Sequence, residues 1–165
     1  RHHKSSKKIK FEGIDNVSEM IKFCKMKNKK KKNLNFIHGD IMKKNLNNSC
    51  IISSFYTIQF IAPKNRQILI NKIYKQLNWG GAFFMVEKVR GPDARFQDIF
   101  NQTYMEYKLS KGYTPDQILN KSRSLKSVLE PFSTKGNLDL LKRAGFKDIV
   151  TVFKYSCFEG YLAIK

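Results

Sequence analysis

The order of apolar and polar positions along the chain predicts strands that alternate with helices. Apolar runs typical of buried strands are followed by segments whose apolar residues recur at helical spacing. The predicted strands cover residues 9–14, 34–40, 50–60 and 81–89, and the predicted helices cover 17–27 and 63–77. Because the strands are nearly continuous apolar runs, this alternation predicts an α/β fold with a parallel sheet and helices on both faces.

The second half of the chain has a different order of elements. Helical spacing predicts three helices, over residues 93–110, 115–129 and 134–144. Gly145 is a suitable C-terminal stop for the last of them. Residues 148–165 are predicted to form two strands joined by a turn, so an antiparallel hairpin closes the sheet. We therefore expect a single domain over 1–165 with a helical insert at about 93–130.

Charge is the most prominent feature of the composition. The 165 residues carry a formal net charge of +19, which favours a polyanionic partner such as nucleic acid. A general bias towards lysine is the competing explanation, and the run at 28–33 is typical of a solvated loop.

Several function classes are disfavoured by the sequence. No window approaches the roughly 18 consecutive apolar residues of a membrane span, and the N-terminal segment lacks the apolar stretch of a signal peptide. We therefore expect a cytoplasmic protein without membrane contact. The three cysteines are not at metal-ligand spacing, so no metal site is predicted.

Two acidic residues follow predicted strands at their carboxyl ends, where open parallel sheets bind ligands. Asp15 is placed to accept hydrogen bonds from the two hydroxyls of a ribose. Asp40 is placed to accept from an adenine amino group, with Ile41 against the ring. Either acid alone suits a turn or a helix cap, but the pair, together with the terminal hairpin, favours a nucleotide site.

A set of short segments carries a family resemblance. They are Gly13–Asp15 with Asn16, Gly39–Ile41, Thr57–Phe60, Gly112–Thr114, Leu140–Phe146 and Cys157–Lys165. Together they resemble the class I S-adenosylmethionine (SAM)-dependent transferases. More closely, the chain is similar to the carboxy-SAM synthases of the tRNA wobble-uridine 5-oxyacetic acid pathway, over essentially all its length.

The resemblance implies a Rossmann-like three-layer sandwich with strand order 3-2-1-4-5-7-6. It places Asp15 and Asn16 at the ribose, and Asp40 and Ile41 at the adenine, of SAM or carboxy-SAM. It implies a cytoplasmic homodimer that converts SAM and prephenate to carboxy-SAM and phenylpyruvate, after which a partner enzyme carries the carboxymethyl group to tRNA. No residue is assigned to proton transfer, because positioning in a dry pocket accounts for most of such catalysis.

The same resemblance places the family's first strand and its glycine-bearing loop before the segment at 13–15. Because this chain begins with Arg1 shortly before that segment, we expect an N-terminally truncated domain. Its second and fourth strands would then have unpaired edges, and the chain alone is expected to bind cofactor poorly and to be inactive.

Two positions depart from the family's pattern. Phe55 stands where the family has an asparagine that contacts the cofactor, and it either stacks on a ligand or fills the core, which is the interpretation we favour. The family's carboxylate-binding arginine falls at Ser122, with Arg123 one residue further, a rotation of roughly 100° on a helix. Arg123 either reaches the pocket or lies on the surface.

Two alternatives remain beside a carboxy-SAM synthase. An ordinary SAM-dependent methyltransferase is favoured by the displaced Arg123, and a non-catalytic basic RNA-binding protein on the same fold is favoured by the charge and by Phe55. Glu87 is expected either to form a local ion pair with Lys88 or to support residues that contact the ligand. The tyrosines at 104, 107 and 113 are expected in the core or at a dimer contact, with a substrate pocket as the alternative.

Overall fold

The computed structural model describes residues 9–165. The described residues divide into two compact units, the first ending at Asn45 and the second spanning Leu46–Lys165. The two units are described separately below.

The first unit contains a strand, a helix and a second strand. They are β1 (Phe11–Asp15), α1 (Ser18–Lys27) and β2 (Leu34–His38). The two strands pair in parallel, with Asp15 opposite His38 at their carboxyl ends. Ile21 of α1 is buried. This is the strand–helix–strand arrangement that the apolar pattern predicts.

The second unit contains a four-stranded mixed sheet with helices between its strands. In chain order the elements are β3 (Ser49–Phe55), a short 3₁₀ helix (Ile58–Phe60), α2 (Pro63–Gln76), β4 (Leu77–Lys88), α3 (Ala94–Ser110), α4 (Pro115–Ser124), α5 (Thr134–Ala144), β5 (Asp148–Tyr155) and β6 (Phe158–Ile164). The strand order is β3-β4-β6-β5. Strands β3 and β4 are parallel, and β6 is antiparallel to both β4 and β5. The predicted C-terminal hairpin is thereby confirmed.

The pairing within each sheet agrees with the strand order of class I SAM-dependent methyltransferases. Strands β1 and β2 correspond to the family's strands two and three, and β3-β4-β6-β5 corresponds to 4-5-7-6. The predicted α/β class and mixed sheet are confirmed.

The core of the second unit lies between the sheet and the pair α2 and α5. Its buried side chains include Leu69, Ile70, Phe83, Met85, Leu140, Leu141, Phe146 and Tyr161. Helix α5 ends as predicted at Gly145, whose φ of 115° is a left-handed conformation that favours glycine. A side chain at Gly145 would also meet the Tyr74 ring at 2.9 Å.

Three predicted boundaries are wrong. Residues 57–60 do not extend β3, and Ile58–Phe60 form the 3₁₀ turn, because the amides of residues 57–59 bind a buried carboxylate rather than a neighbouring strand. Residues 78–81 lie inside β4, since pairing with β3 begins at Leu77. Helix α4 ends at Ser124 rather than near 129.

Helix α3 has no fully buried residue, although its sequence is rich in aromatic and aliphatic side chains. Among residues 9–165, the helices are all too short or too polar to cross a membrane.

Candidate functional site

In the first unit, the two predicted nucleotide-binding acids lie at one edge of the sheet. Oδ1 of Asp15 accepts a hydrogen bond from the Val17 amide at 2.8 Å, and Oδ1 of Asp40 accepts one from the Met42 amide at 2.8 Å. The Gly39 amide donates to the Asp15 carbonyl at 2.9 Å, which joins the two strand ends. Both acids therefore stabilise turns while standing at the ligand-binding edge of a parallel pair.

These residues fit the adenosine part of SAM. Asp15 is half-buried and has a second carboxylate oxygen that can accept from a ribose hydroxyl. The Asn16 side chain is exposed beside it, while the Asn16 carbonyl lies 3.1 Å from Nε2 of His38. Ile41 is half-buried next to Asp40. The structure brings these four residues together, and their contact with the cofactor stays a prediction.

In the second unit, a cavity of about 1640 Å³ lies beyond the carboxyl ends of β3 and β4 and is walled by α3, α4 and the segment that follows α4. Its aromatic lining consists of Tyr56, Phe60, Tyr104, Tyr107, Tyr113 and Phe158. Its basic lining consists of Lys88, Arg90, Lys108, Lys111, Lys121, Arg123 and Lys126. The cavity thus combines flat apolar surfaces with a strong positive charge.

Among the residues that line the cavity, Asp93 is the one with an acidic side chain, and its carboxylate already accepts a backbone hydrogen bond. As the N-cap of α3, Asp93 accepts a hydrogen bond from the Phe96 amide at 3.0 Å through Oδ1. The remaining positive charge therefore has little compensation within the lining, which favours an anionic ligand.

Arg123 lies in the last turn of α4, and both it and the neighbouring Ser122 line the cavity. The helix begins with a capping box in which the Thr114 and Gln117 side chains bind each other's backbone amides, and this fixes its start. The one-residue displacement therefore leaves an arginine at the cavity wall. Its contact with a carboxylate stays a prediction.

Phe55 does not fill the core. Its side chain is 56% exposed, and its ring packs edge-on against Phe84 with centroids 5.6 Å apart. The favoured core-filling interpretation is therefore wrong, because position 55 points away from the packed face of β3. Phe55 is not part of the cavity lining, whereas its neighbour Tyr56 is.

Glu87, at the end of β4, contacts the backbone of Gln59, which lines the cavity. The expected pair with Lys88 is absent among the described residues. Instead Oε1 of Glu87 accepts from the amides of Thr57 and Ile58 at 3.1 and 2.9 Å, and Oε2 accepts from that of Gln59 at 3.0 Å. Burial raises the pKa of Glu87 to about 7, against the opposing effect of these hydrogen bonds.

Gln59 connects this carboxylate to the cavity, which it lines. Its Oε1 accepts from the Lys88 amide at 3.0 Å, and its carbonyl accepts from Nη2 of the buried Arg66 at 3.1 Å. The Arg66 guanidinium also lies over the Phe132 ring, 4.2 Å from its centroid. A glutamine inside an otherwise apolar run was the available sequence signal for this buried network.

The three tyrosines line the cavity rather than the core. Tyr104 is half-buried, and Tyr107 and Tyr113 are exposed. The core interpretation is wrong for these residues, since α3 has no fully buried residue and Tyr113 lies in the connection between α3 and α4. Within residues 9–165, no cluster of three histidine, cysteine or acidic side chains is suited to a metal ion.

Comparisons with known proteins indicate the family and the fold of this chain. A family described as a methyltransferase domain matches residues 4–85. The carboxy-S-adenosyl-L-methionine synthase of Staphylococcus epidermidis is 39% identical over 153 residues, which are 93% of this chain and 67% of that protein. The synthase of Campylobacter jejuni is 36% identical over 160 residues, which are 96% and 68%. The chain thus spans about two thirds of the length of these relatives.

Solved structures show the same fold at low identity. Human N-acetylserotonin methyltransferase in complex with SAM superimposes with a TM-score of 0.60 at 18% identity, over 94% of this chain and 39% of that protein. The YcgJ protein of Bacillus subtilis superimposes with a TM-score of 0.63 at 15% identity, over 88% and 56%.

Proposed function

Because this chain belongs to the carboxy-S-adenosyl-L-methionine synthase family of SAM-dependent enzymes, we propose that it converts SAM and prephenate to carboxy-SAM and phenylpyruvate. The observation that carries the proposal is the basic, aromatic-lined cavity at the carboxyl ends of β3 and β4. A cyclic dicarboxylate needs both properties, since its ring packs on aromatic side chains and its carboxylates require cations.

Arg123 is the residue that we assign to the added carboxylate of carboxy-SAM. A guanidinium donates two parallel hydrogen bonds to a carboxylate, which distinguishes carboxy-SAM from SAM. Its place on the cavity wall supports this role. In this assignment, the arginine lies one residue beyond position 122 and makes the same contact with the carboxylate.

Asp15 and Asn16 would hold the ribose of the cofactor, and Asp40 and Ile41 the adenine. When bound, SAM supplies the methyl carbon that becomes carboxylated. The protein's part is to orient both molecules and to exclude water from the cavity, so that carbon dioxide released from prephenate is captured rather than lost.

The partners follow from the same assignment. We propose a cytoplasmic homodimer that has prephenate as its small-molecule substrate. Its product would reach tRNA through a second enzyme that transfers the carboxymethyl group to the wobble uridine.

Native mass spectrometry of the full-length protein, purified from cells rich in prephenate, tests the proposal. A bound ligand heavier than SAM by about 44 Da, the mass of one carbon dioxide, is the expected result, since Arg123 would retain the carboxylated cofactor.

Two other results would contradict it. Unmodified SAM, with methyl transfer to an acceptor, would indicate an ordinary methyltransferase. Absence of cofactor together with salt-sensitive RNA binding would indicate a non-catalytic RNA-binding protein.

A further inference from the structure

Two lysines lie against one tyrosine ring in the cavity of the second unit. Nζ of Lys108 is 4.2 Å from the centroid of the Tyr104 ring, and Nζ of Lys88 is 5.2 Å from the same centroid. Lys88 ends β4, whereas Tyr104 and Lys108 are one helical turn apart on α3. The grouping therefore depends on how the sheet and α3 pack, and short-range sequence spacing does not account for Lys88.

These cations lack an acidic partner within the described part of the chain. Of the ion pairs formed by residues 9–165, none includes Lys88 or Lys108. Burial lowers the pKa of Lys108, the neighbouring Lys88 lowers it further, and of the groups that perturb it Cys157 alone acts in the opposite direction. The half-buried ammonium group of Lys108, held near a second cation, is destabilised in its charged form, and a bound anion relieves that cost.

An apolar surface adjoins the two cations. The Phe158 ring packs edge-on against Tyr104, with centroids 5.2 Å apart, and against Tyr56, with centroids 5.8 Å apart. All three rings line the cavity. A ligand that fits here has a flat, unsaturated ring for the aromatic group and an anionic group for the lysines.

We propose that Lys88 and Lys108, placed about the Tyr104 ring, form a subsite for the carboxylate of a ring-bearing organic acid, whose ring packs against Tyr104 and Phe158. This proposal rests on the proposed function, because it assigns the substrate's carboxylate to particular side chains. It is separate from the role of Arg123, which concerns the cofactor.

Calorimetric binding of two small ligands tests the subsite. Phenylpyruvate has an aromatic ring and a carboxylate, whereas phenylacetone has the same ring and ketone without the carboxylate. We expect phenylpyruvate to bind the wild-type protein at least about tenfold more tightly, because a charge-assisted hydrogen bond contributes roughly that much or more. Equal affinities, or no binding of phenylpyruvate, would overturn the proposal without any variant.

Variants then identify the cations. Lys88→Gln and Lys108→Gln are each expected to weaken phenylpyruvate binding about tenfold and to leave phenylacetone binding unchanged. Lys108→Arg keeps the cation and should retain phenylpyruvate binding. Lys142→Gln, an exposed change on α5 outside the cavity, is the control. Unchanged phenylpyruvate affinity in both glutamine variants would refute the subsite.

The test separates the subsite from the proposed function. Lysine-dependent binding of phenylpyruvate by a protein that retains only unmodified SAM would support the subsite and contradict the proposed synthase reaction. Carboxy-SAM formation together with lysine-independent phenylpyruvate binding would support the proposed synthase reaction and contradict the subsite.

Discussion

Glu87 and Glu159 are direct cross-strand partners on β4 and β6, and both are buried, with side chains 1% and 0% exposed. Their pKa values are nevertheless shifted in opposite directions. For Glu87, burial outweighs the three backbone amides that it binds and raises the pKa to about 7. For Glu159, burial also acts to raise the pKa, but hydrogen bonds from Lys154, Tyr161 and Thr134 outweigh it and hold the pKa below its ordinary value.

Glu87 is expected to make the protein less stable as the pH rises from 5 to 8. Between the unfolded-state pKa of 4.5 and the folded-state value of about 7, the folded protein retains a proton that the unfolded chain has lost. The stabilisation is therefore complete below pH 4.5 and is lost as the pH rises through about 7, with a total of at most about 3 kcal/mol. Glu87→Gln should remove this component of the pH dependence, as measured by urea unfolding at several pH values.

The matched control for Glu87 is Glu106→Gln, an exposed change on α3. It should leave the dependence of the unfolding free energy on pH as it is in the wild-type protein. Parallel curves for wild-type and Glu87→Gln proteins between pH 5 and 8 would contradict the assignment of this titration to Glu87.

Glu159 has the opposite sign and a different pH range. Its lowered pKa gives stability that is present above the ordinary pKa and is lost as the pH falls through the folded-state value. The Tyr161 hydroxyl donates to Glu159, so Tyr161→Phe should lower the unfolding free energy by about 2 kcal/mol at pH 7.

Tyr161→Phe should also move acid unfolding to higher pH, because it raises the pKa of Glu159 towards its ordinary value. Circular dichroism during an acid titration measures this midpoint. Tyr155→Phe, at a 67% exposed side chain on the adjacent strand β5, should change neither quantity. Equal effects of the two variants would show that the hydroxyl bond to Glu159 contributes nothing specific.

The alternation of strands and helices was predictable because it depends on the spacing of apolar residues within each short segment. Helix α5 has the predicted bounds, since Gly145 and the apolar spacing define it within one short segment. The 3₁₀ turn at 58–60 was not predictable, because the carboxylate that binds its first amides comes from Glu87, 28 or more residues away along the chain. The apolar run at 50–60 does not indicate that the Glu87 carboxylate ends the strand.

The candidate sites likewise include one part that the sequence predicted and one part that it did not. Asp15 and Asp40 were predicted at one sheet edge, since each directly follows a strand and parallel strands place their carboxyl ends together. The position of Lys88 beside Tyr104 depends on how α3 packs over the end of β4, for which neither segment carries a local signal.

Asp15 is expected to contribute to cofactor affinity mainly through its charge. Asp15→Asn keeps an oxygen for the Val17 amide, so the turn after β1 should be preserved while the charge-assisted bonds to a ribose are weakened. We expect SAM affinity to fall about tenfold, as measured by calorimetry. Glu12→Gln, an exposed change on the same strand, is the control, and equal affinities of the two variants would contradict ribose binding by Asp15.

Arg123 is expected to discriminate between the two cofactors. Arg123→Lys keeps a positive charge on the cavity wall but removes the planar pair of donors that matches a carboxylate. Affinity for carboxy-SAM should therefore fall about tenfold, while affinity for SAM, which lacks the added carboxylate, should stay the same. Competitive binding of the two cofactors measures both values.

Arg95→Lys, an exposed change on α3 outside the cavity lining, is the control and should alter neither affinity. A loss of the same size for both cofactors in Arg123→Lys would mean that Arg123 supplies only a general positive potential, and the recognition of the carboxylate would then have to be assigned to another cation of the cavity.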